Sequence, residues 1–192
     1  DLQWGYGAPI SALSVNDNVV FLTLTPAPQD GQTALAASLP TTSYYTLDSS
    51  LITSSSGGQQ VGIDRQPGSL VVRIFGQTPL GKAGLNVALS IEDPADYAAR
   101  SLKEMLVARG VRVAGAARPR HRFSFNTTHF LSEQQQPVEL HPLSITDIEA
   151  PAPGAIRLAA HVSPPLEADL VVTNKVSHNL HTALTLRTLG KL

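Results

Sequence analysis

The chain has 192 residues, with 14 Lys and Arg against 15 Asp and Glu and a formal net charge of -1 at pH 7; the basic excess of a nucleic-acid binder is absent. No cysteine occurs, which excludes a disulfide framework and a thiol nucleophile and leans towards an exported protein. Only 15% of residues are charged while Gly and Pro number 14 each, a composition of turns and β-structure rather than coiled coil, in a length that suits one large domain or two or three small ones.

The sequence opens Asp1-Leu2-Gln3-Trp4 without Met, signal peptide or transmembrane run, and stops at Leu189-Gly190-Lys191-Leu192, so it reads as a piece of something longer or a product of cleavage. Residues 19–25 are β-branched and apolar; Asn16-Asp17-Asn18 before them favour a tight turn and predict a hairpin of residues 11–15 with 19–25. Pro40 and the run Ser54-Ser55-Ser56-Gly57-Gly58 punctuate short strand candidates at 47–53 and 60–64. Leu70, Val72 and Ile74 then alternate with Val71, Arg73 and Phe75, and Leu85, Val87, Leu89 and Ile91 alternate with Asn86, Ala88 and Ser90. A period of two puts one row of each strand inside, and most of residues 11–91 is expected to be antiparallel β.

A helix is expected next. Asp93 suits its cap, Pro94 its first position and Asp96 its positive end, while Gly110 marks a stop. Tyr97, Ala98, Leu102, Met105 and Leu106 form its apolar stripe, and Leu102→Ala should cost roughly 2–5 kcal/mol if that stripe is core. Val111-Arg112-Val113-Ala114 predicts a strand, which would complete a β-α-β unit over 85–117. Pro- and Gln-rich connections fill 118–157. A final helical section starts at Ser163-Pro164-Pro165 with Ser163 as cap, uses Leu166, Leu170 and Val171 as one face, breaks near Ser177, and resumes with Leu180, Ala183, Leu184 and Leu186.

Ser177-His178-Asn179 occupies that break. In an acyl-transfer site a hydroxyl so placed relays a proton to the leaving amine, and an amide two residues on orients the substrate backbone. The tripeptide pattern alone is common, and Ser14-Val15-Asn16 and Ser124-Phe125-Asn126 repeat it as turn or cap sequences. Its surroundings are more specific. Ser163-Pro-Pro-Leu166, Asn174-Lys-Val-Ser-His-Asn-Leu180 and Leu186-Arg-Thr-Leu-Gly190 resemble the region of the second active-site motif of peptidase family S13, the penicillin-binding D-alanyl-D-alanine carboxypeptidases and endopeptidases. Residues 7–18, the Asp93-Pro94-Ala95-Asp96-Tyr97-Ala98-Ala99 block and residues 106–110 are similar to the same family in the same order.

The resemblance implies an α+β, multidomain architecture. A β-rich domain III at 26–85 is nested in an α/β domain II at 1–25 and 86–122, and 123–192 belong to the transpeptidase-like catalytic domain. It implies hydrolysis of peptidoglycan stem peptides through an acyl-enzyme, β-lactams as ligands, an exported protein of the periplasm or cell envelope, and no metal or organic cofactor. Ser177 and Asn179 are its implied catalytic residues, with His178 where relatives often carry Asp. The family uses Ser-x-x-Lys, Ser-x-Asn and Lys-Thr-Gly. The residues three before the four lysines are Pro79, Arg100, Val172 and Thr188, and no Lys-Thr-Gly occurs, so the chain alone is expected to be an inactive fragment.

Other features read more plainly. His178 and His181 share a helical face, but Cys and paired Glu are missing as further zinc ligands. Arg118, Arg120, His121 and Arg122 read as a solvated linker, Trp4 and Tyr6 as seam-filling aromatics, and Asn126-Thr127-Thr128 as an incidental glycosylation pattern. The rival to the enzyme is a non-catalytic envelope module whose β-rich middle binds glycan or protein.

Overall fold

The computed structural model describes residues 3–119, Gly154, Ile156 and residues 159–189. The chain divides into two units, Asp1–His121 and Arg122–Leu192. The fold is mixed α and β, with two sheets and three α-helices among the described residues.

In the first unit, β1 (Val19–Thr25) buries Val20, Leu22 and Leu24 and turns Phe21 outward, as its alternation requires. It is the middle of an antiparallel sheet, between β2 (Leu35–Leu39) and β7 (Leu85–Ser90). Both of its edges are therefore taken, and the expected hairpin with residues 11–15 does not form. Those residues lead instead into a turn at Asn16–Asn18 whose φ angles are 53°, 51° and 54°. Asn tolerates the left-handed region because its amide can satisfy nearby backbone groups. Here Asn18 Nδ2 donates to the Pro9 carbonyl at 3.0 Å and Asn16 Nδ2 to the Val19 carbonyl at 2.7 Å.

The second sheet is built on β6 (Val71–Pro79). β3 (Thr46–Ser49) and β4 (Ile52–Ser54) follow each other along one edge, and β5 (Gln60–Asp64) lies on the other. β5 is antiparallel to β6, but β3 and β4 are parallel to it, which corrects the expectation of antiparallel pairing for this stretch. The chain reverses before β5 and again before β6, so β3 and β4 share the direction of β6 and reach it across its free edge. Period-two alternation records which face is buried and says nothing about a neighbour's direction. The alternation itself holds: Val72 and Ile74 are fully buried while Val71 and Phe75 are exposed.

Helix α1 (Pro94–Ala108) is capped by Asp93, whose carboxylate accepts from the amides of Ala95 and Asp96 at 3.1 and 3.2 Å. Only its first turns reach the core: Tyr97 is 1% exposed, whereas Leu102 is 55% and Met105 48% exposed. The expected five-residue stripe is therefore half solvated. Residues 111–114 form no strand, so no β-α-β unit is completed. The chain instead turns through Gly110 at φ 83°, with Val111 N–H bonded to the Leu106 carbonyl, and Lys103 Nζ ties Gly115 O at 2.7 Å beside the helix. The unit's core is one cluster drawn from both sheets and α1, including Leu22, Leu24, Leu51, Val72, Ile74, Leu89, Ile91 and Tyr97.

In the second unit, α2 (Leu166–Val176) and α3 (Asn179–Leu189) are joined by a two-residue bend. Pro165, not Ser163, is the cap of α2; its carbonyl accepts from Ala168 N–H at 3.0 Å and no side chain assists. The intervening prolines keep Ser163 outside the helix. Thr173 and Leu180 are the buried residues of the two helices, while Leu166, Leu170, Val171 and Leu186 are exposed. Among the described residues no helix is long and apolar enough to cross a membrane. Ser124 and Asn126, the Arg120–His121–Arg122 cluster and the Asn126 glycosylation pattern lie outside the described residues.

Candidate active site

The end of α2 sets the site. Its last carbonyls need donors once the helix stops, and the Thr173 carbonyl receives the amides of both Ser177 and His178, the latter at 3.1 Å. That closure requires a left-handed residue, and Ser177 supplies it with φ 54° and ψ 53°. Glycine is the usual occupant; a side chain there costs about 1–2 kcal/mol. A serine held where glycine would be easier has a hydroxyl that the local fold does not ask for. α3 starts at once: the His178 carbonyl accepts from Thr182 N–H at 3.1 Å and from Thr182 Oγ1 at 3.0 Å.

Ser177 and Asn179 thus sit on either side of His178 at the bend, both exposed, with Leu180 buried immediately behind. His178 packs its ring on His181, with centroids 4.1 Å apart. His181 Nδ1 in turn lies 2.7 Å from Asp169 Oδ1 on α2. The sequence placed the two histidines on one helical face. It did not single out Asp169, which looks in isolation like an ordinary acidic residue in a helix's first turn.

The first unit carries a second polar constellation, of another kind. Arg65, 7% exposed, pairs with Glu92 and lies 5.5 Å from the Tyr45 ring centroid. Tyr45 Oη donates to the Ser90 carbonyl at 2.8 Å and accepts from Glu92 N–H at 2.9 Å; Tyr44 Oη accepts from Asp93 N–H at 2.8 Å. Tyr44 meets Tyr45 and Tyr97 edge to face at 4.8 and 5.3 Å. Burial pushes the Tyr45 phenol up to about 12 and drives Tyr44 and Tyr97 upward too, so these groups stay neutral and act as fixed hydrogen-bonding struts. They bind the start of α1 to the second sheet. On its exposed side, Arg100 is held charged by its hydrogen bond to Asp96, at 2.8 Å. A groove of ≈ 650 Å³ on the second sheet is lined by Phe75, Ile52, Gln60 and Gln77 among others; neither Ser177 nor Asn179 lines it. The Trp4 backbone bridges to Leu89 at the edge of the first sheet and its side chain packs, partly buried, against the core, while Tyr6 is exposed.

A sequence profile of the D-Ala-D-Ala carboxypeptidase 3 (S13) family matches residues 1–140. The chain belongs to that family. The D-alanyl-D-alanine carboxypeptidase of Actinomadura sp. (strain R39) is 25% identical over 198 residues, covering 100% of this chain and 32% of that protein. This S13 chain therefore spans about a third of the length of that curated relative. Penicillin binding protein 4 (dacB) from Haemophilus influenzae is similar at a TM-score of 0.47 and 12% identity, over 63% of this chain and 28% of that one. The same protein complexed with a β-lactam gives a TM-score of 0.43 at 11% identity, over 60% and 28%. The profile match ends before α2, so Ser177 and Asn179 rest on their motif and on the geometry of the bend.

Proposed function

We propose that this chain is part of a serine-type D-Ala-D-Ala carboxypeptidase or endopeptidase that acts on peptidoglycan peptides through an acyl-enzyme. The supporting observation is S13 membership over residues 1–140. It favours the enzyme over a non-catalytic binding module. In this reading the nucleophilic serine belongs to a Ser-x-x-Lys segment outside residues 1–192. Its oxygen attacks the carbonyl of the penultimate D-Ala, and the C–N bond to the terminal D-Ala breaks. The Ser177 hydroxyl passes a proton to the departing amine. The Asn179 carboxamide holds the substrate backbone. Water then hydrolyses the ester, releasing the shortened peptide and restoring the serine. No metal or organic cofactor enters these steps. β-Lactams would acylate the same serine.

The domain assignment belongs to the same reading: 1–25 with 86–122 as domain II, 26–85 as the inserted domain III, and 123–192 as part of the catalytic domain. The protein would be exported and work in the periplasm or cell envelope. Two experiments test this. Fluorescent penicillin should label the full-length protein and leave residues 1–192 unlabelled; stable labelling of the isolated chain refutes the placement of the nucleophile. Ser177→Ala in the full-length protein should lower turnover of a peptide ending in D-Ala-D-Ala by about 10²–10⁴-fold, the usual worth of a proton-transfer group. Unchanged turnover removes Ser177 from the mechanism.

A further inference from the structure

Resting on that reading of Ser177 and Asn179, we infer that Asp169, His181 and His178 form a latch across the α2–α3 bend that fixes the direction in which the Ser177 hydroxyl and the Asn179 carboxamide point. Among the described residues, two ties that cross the bend stand out. One is the Thr173 carbonyl, which fixes only the backbone at Ser177 and His178. The other is the Asp169–His181 pair at 2.7 Å, which joins the first turn of α2 to the first turn of α3 and so sets the angle between the helices. Asn179 opens α3 and His181 lies two residues on, so a rotation of α3 that breaks the pair also swings the carboxamide. The His178 ring, 4.1 Å from that of His181, occupies the position between the two proposed catalytic side chains and keeps the intervening peptide from turning over.

Stability is not the reason for such a pair. The side chains are 22% and 36% exposed, and ion pairs that wet add little to folding. A contact this short between a carboxylate and an imidazole on two helices limits instead how far one helix can turn against the other. These are positioning residues: none is assigned contact with substrate.

The test uses the full-length protein with Asp169→Asn, His181→Gln, their combination, Asp169→Glu and, as reference, Ser177→Ala. Turnover of an acylated tripeptide ending in D-Ala-D-Ala, the rate of labelling by fluorescent penicillin and thermal unfolding are measured for each. Each single change should lower kcat and the labelling rate by about ten- to a hundred-fold, the scale of an ångström of misplacement, with the melting temperature unchanged. The combined variant should be no worse than either single one, because both break one contact, and Asp169→Glu should recover at least half of the activity. Additive losses in the combined variant, or losses that track a lowered melting temperature, overturn the latch. Wild-type rates in Asp169→Asn and His181→Gln while Ser177→Ala is impaired overturn the latch and leave the catalytic reading standing. Wild-type rates in Ser177→Ala remove both.

Discussion

Glu92→Gln is the sharpest probe of how the first unit holds together. Glu92 sits between β7 and α1; its carboxylate pairs with Arg65, whose side chain is 3% exposed, and its Oε1 accepts from Gly68 N–H at 2.7 Å. Glutamine keeps the size, and its amide oxygen can retain the Gly68 bond, so the change removes the charge and little else. Among the described residues Arg65 then keeps a long 3.4 Å bond to Ser90 Oγ and the face of Tyr45. Stranding one member of a buried pair costs about 3–5 kcal/mol; since the Glu92 side chain is 31% exposed, the lower end applies, about 3 kcal/mol. At about 2–4 °C per kcal/mol for a chain of this size, melting should fall by roughly 6–12 °C. Replacing both partners, Arg65→Met with Glu92→Gln, should be milder than Glu92→Gln alone, because no unpaired charge remains. Asp96→Asn provides the contrast: its partner Arg100 is 41% exposed, and such a helical pair is worth about 0.3–0.5 kcal/mol. Calorimetry of the four proteins decides the matter. A Glu92→Gln protein melting within about 2 °C of wild type, the scale of a surface change, refutes the argument.

Three further outcomes follow from the structure. Ser177→Gly relieves the left-handed strain at the bend by about 1–2 kcal/mol, less up to ~1 kcal/mol of unfolded-state entropy, while Ser177→Ala keeps the strain; amide exchange at His178 should slow in the glycine variant and not in the alanine one, although both lose the hydroxyl. Leu102→Ala, at a residue 55% exposed, should cost about 1 kcal/mol or less by urea unfolding, well under a core truncation. The Tyr45 phenol is raised from 10.0 to about 12 on folding, so the folded chain keeps a proton that the unfolded chain has lost. Its share of stability is complete below pH 10 and declines as pH rises towards 12. Tyrosinate absorbance should show a class of phenols that ionises only at that upper limit, and a single transition near 10 for every tyrosine contradicts their burial.

What the sequence made legible was local. The alternation at 70–75 and 85–91 identifies the buried rows because each side chain's face is fixed by its own backbone. Asp93, Pro94 and Gly110 mark the ends of α1 because caps act within a turn. The failures concern partners. Nothing in residues 11–15 reports that both edges of β1 belong to strands ten or more residues away in the chain, and nothing in β3 reports that β6 runs the same way. Leu102 fits an apolar stripe, yet only the packing around Tyr97 decides how far along α1 the core extends. The proposed site divides along the same line. Ser177 and Asn179 are visible because a motif is a local string and the bend that exposes them is a local helix stop. Asp169 is invisible, being an unremarkable acid in a first turn until α3 brings His181 to it. A motif can therefore name the groups that do chemistry, while the groups that aim them emerge only when separate helices meet. That is why the next residues to change in this protein are Asp169 and His181, ahead of any second residue of the Ser-x-Asn string.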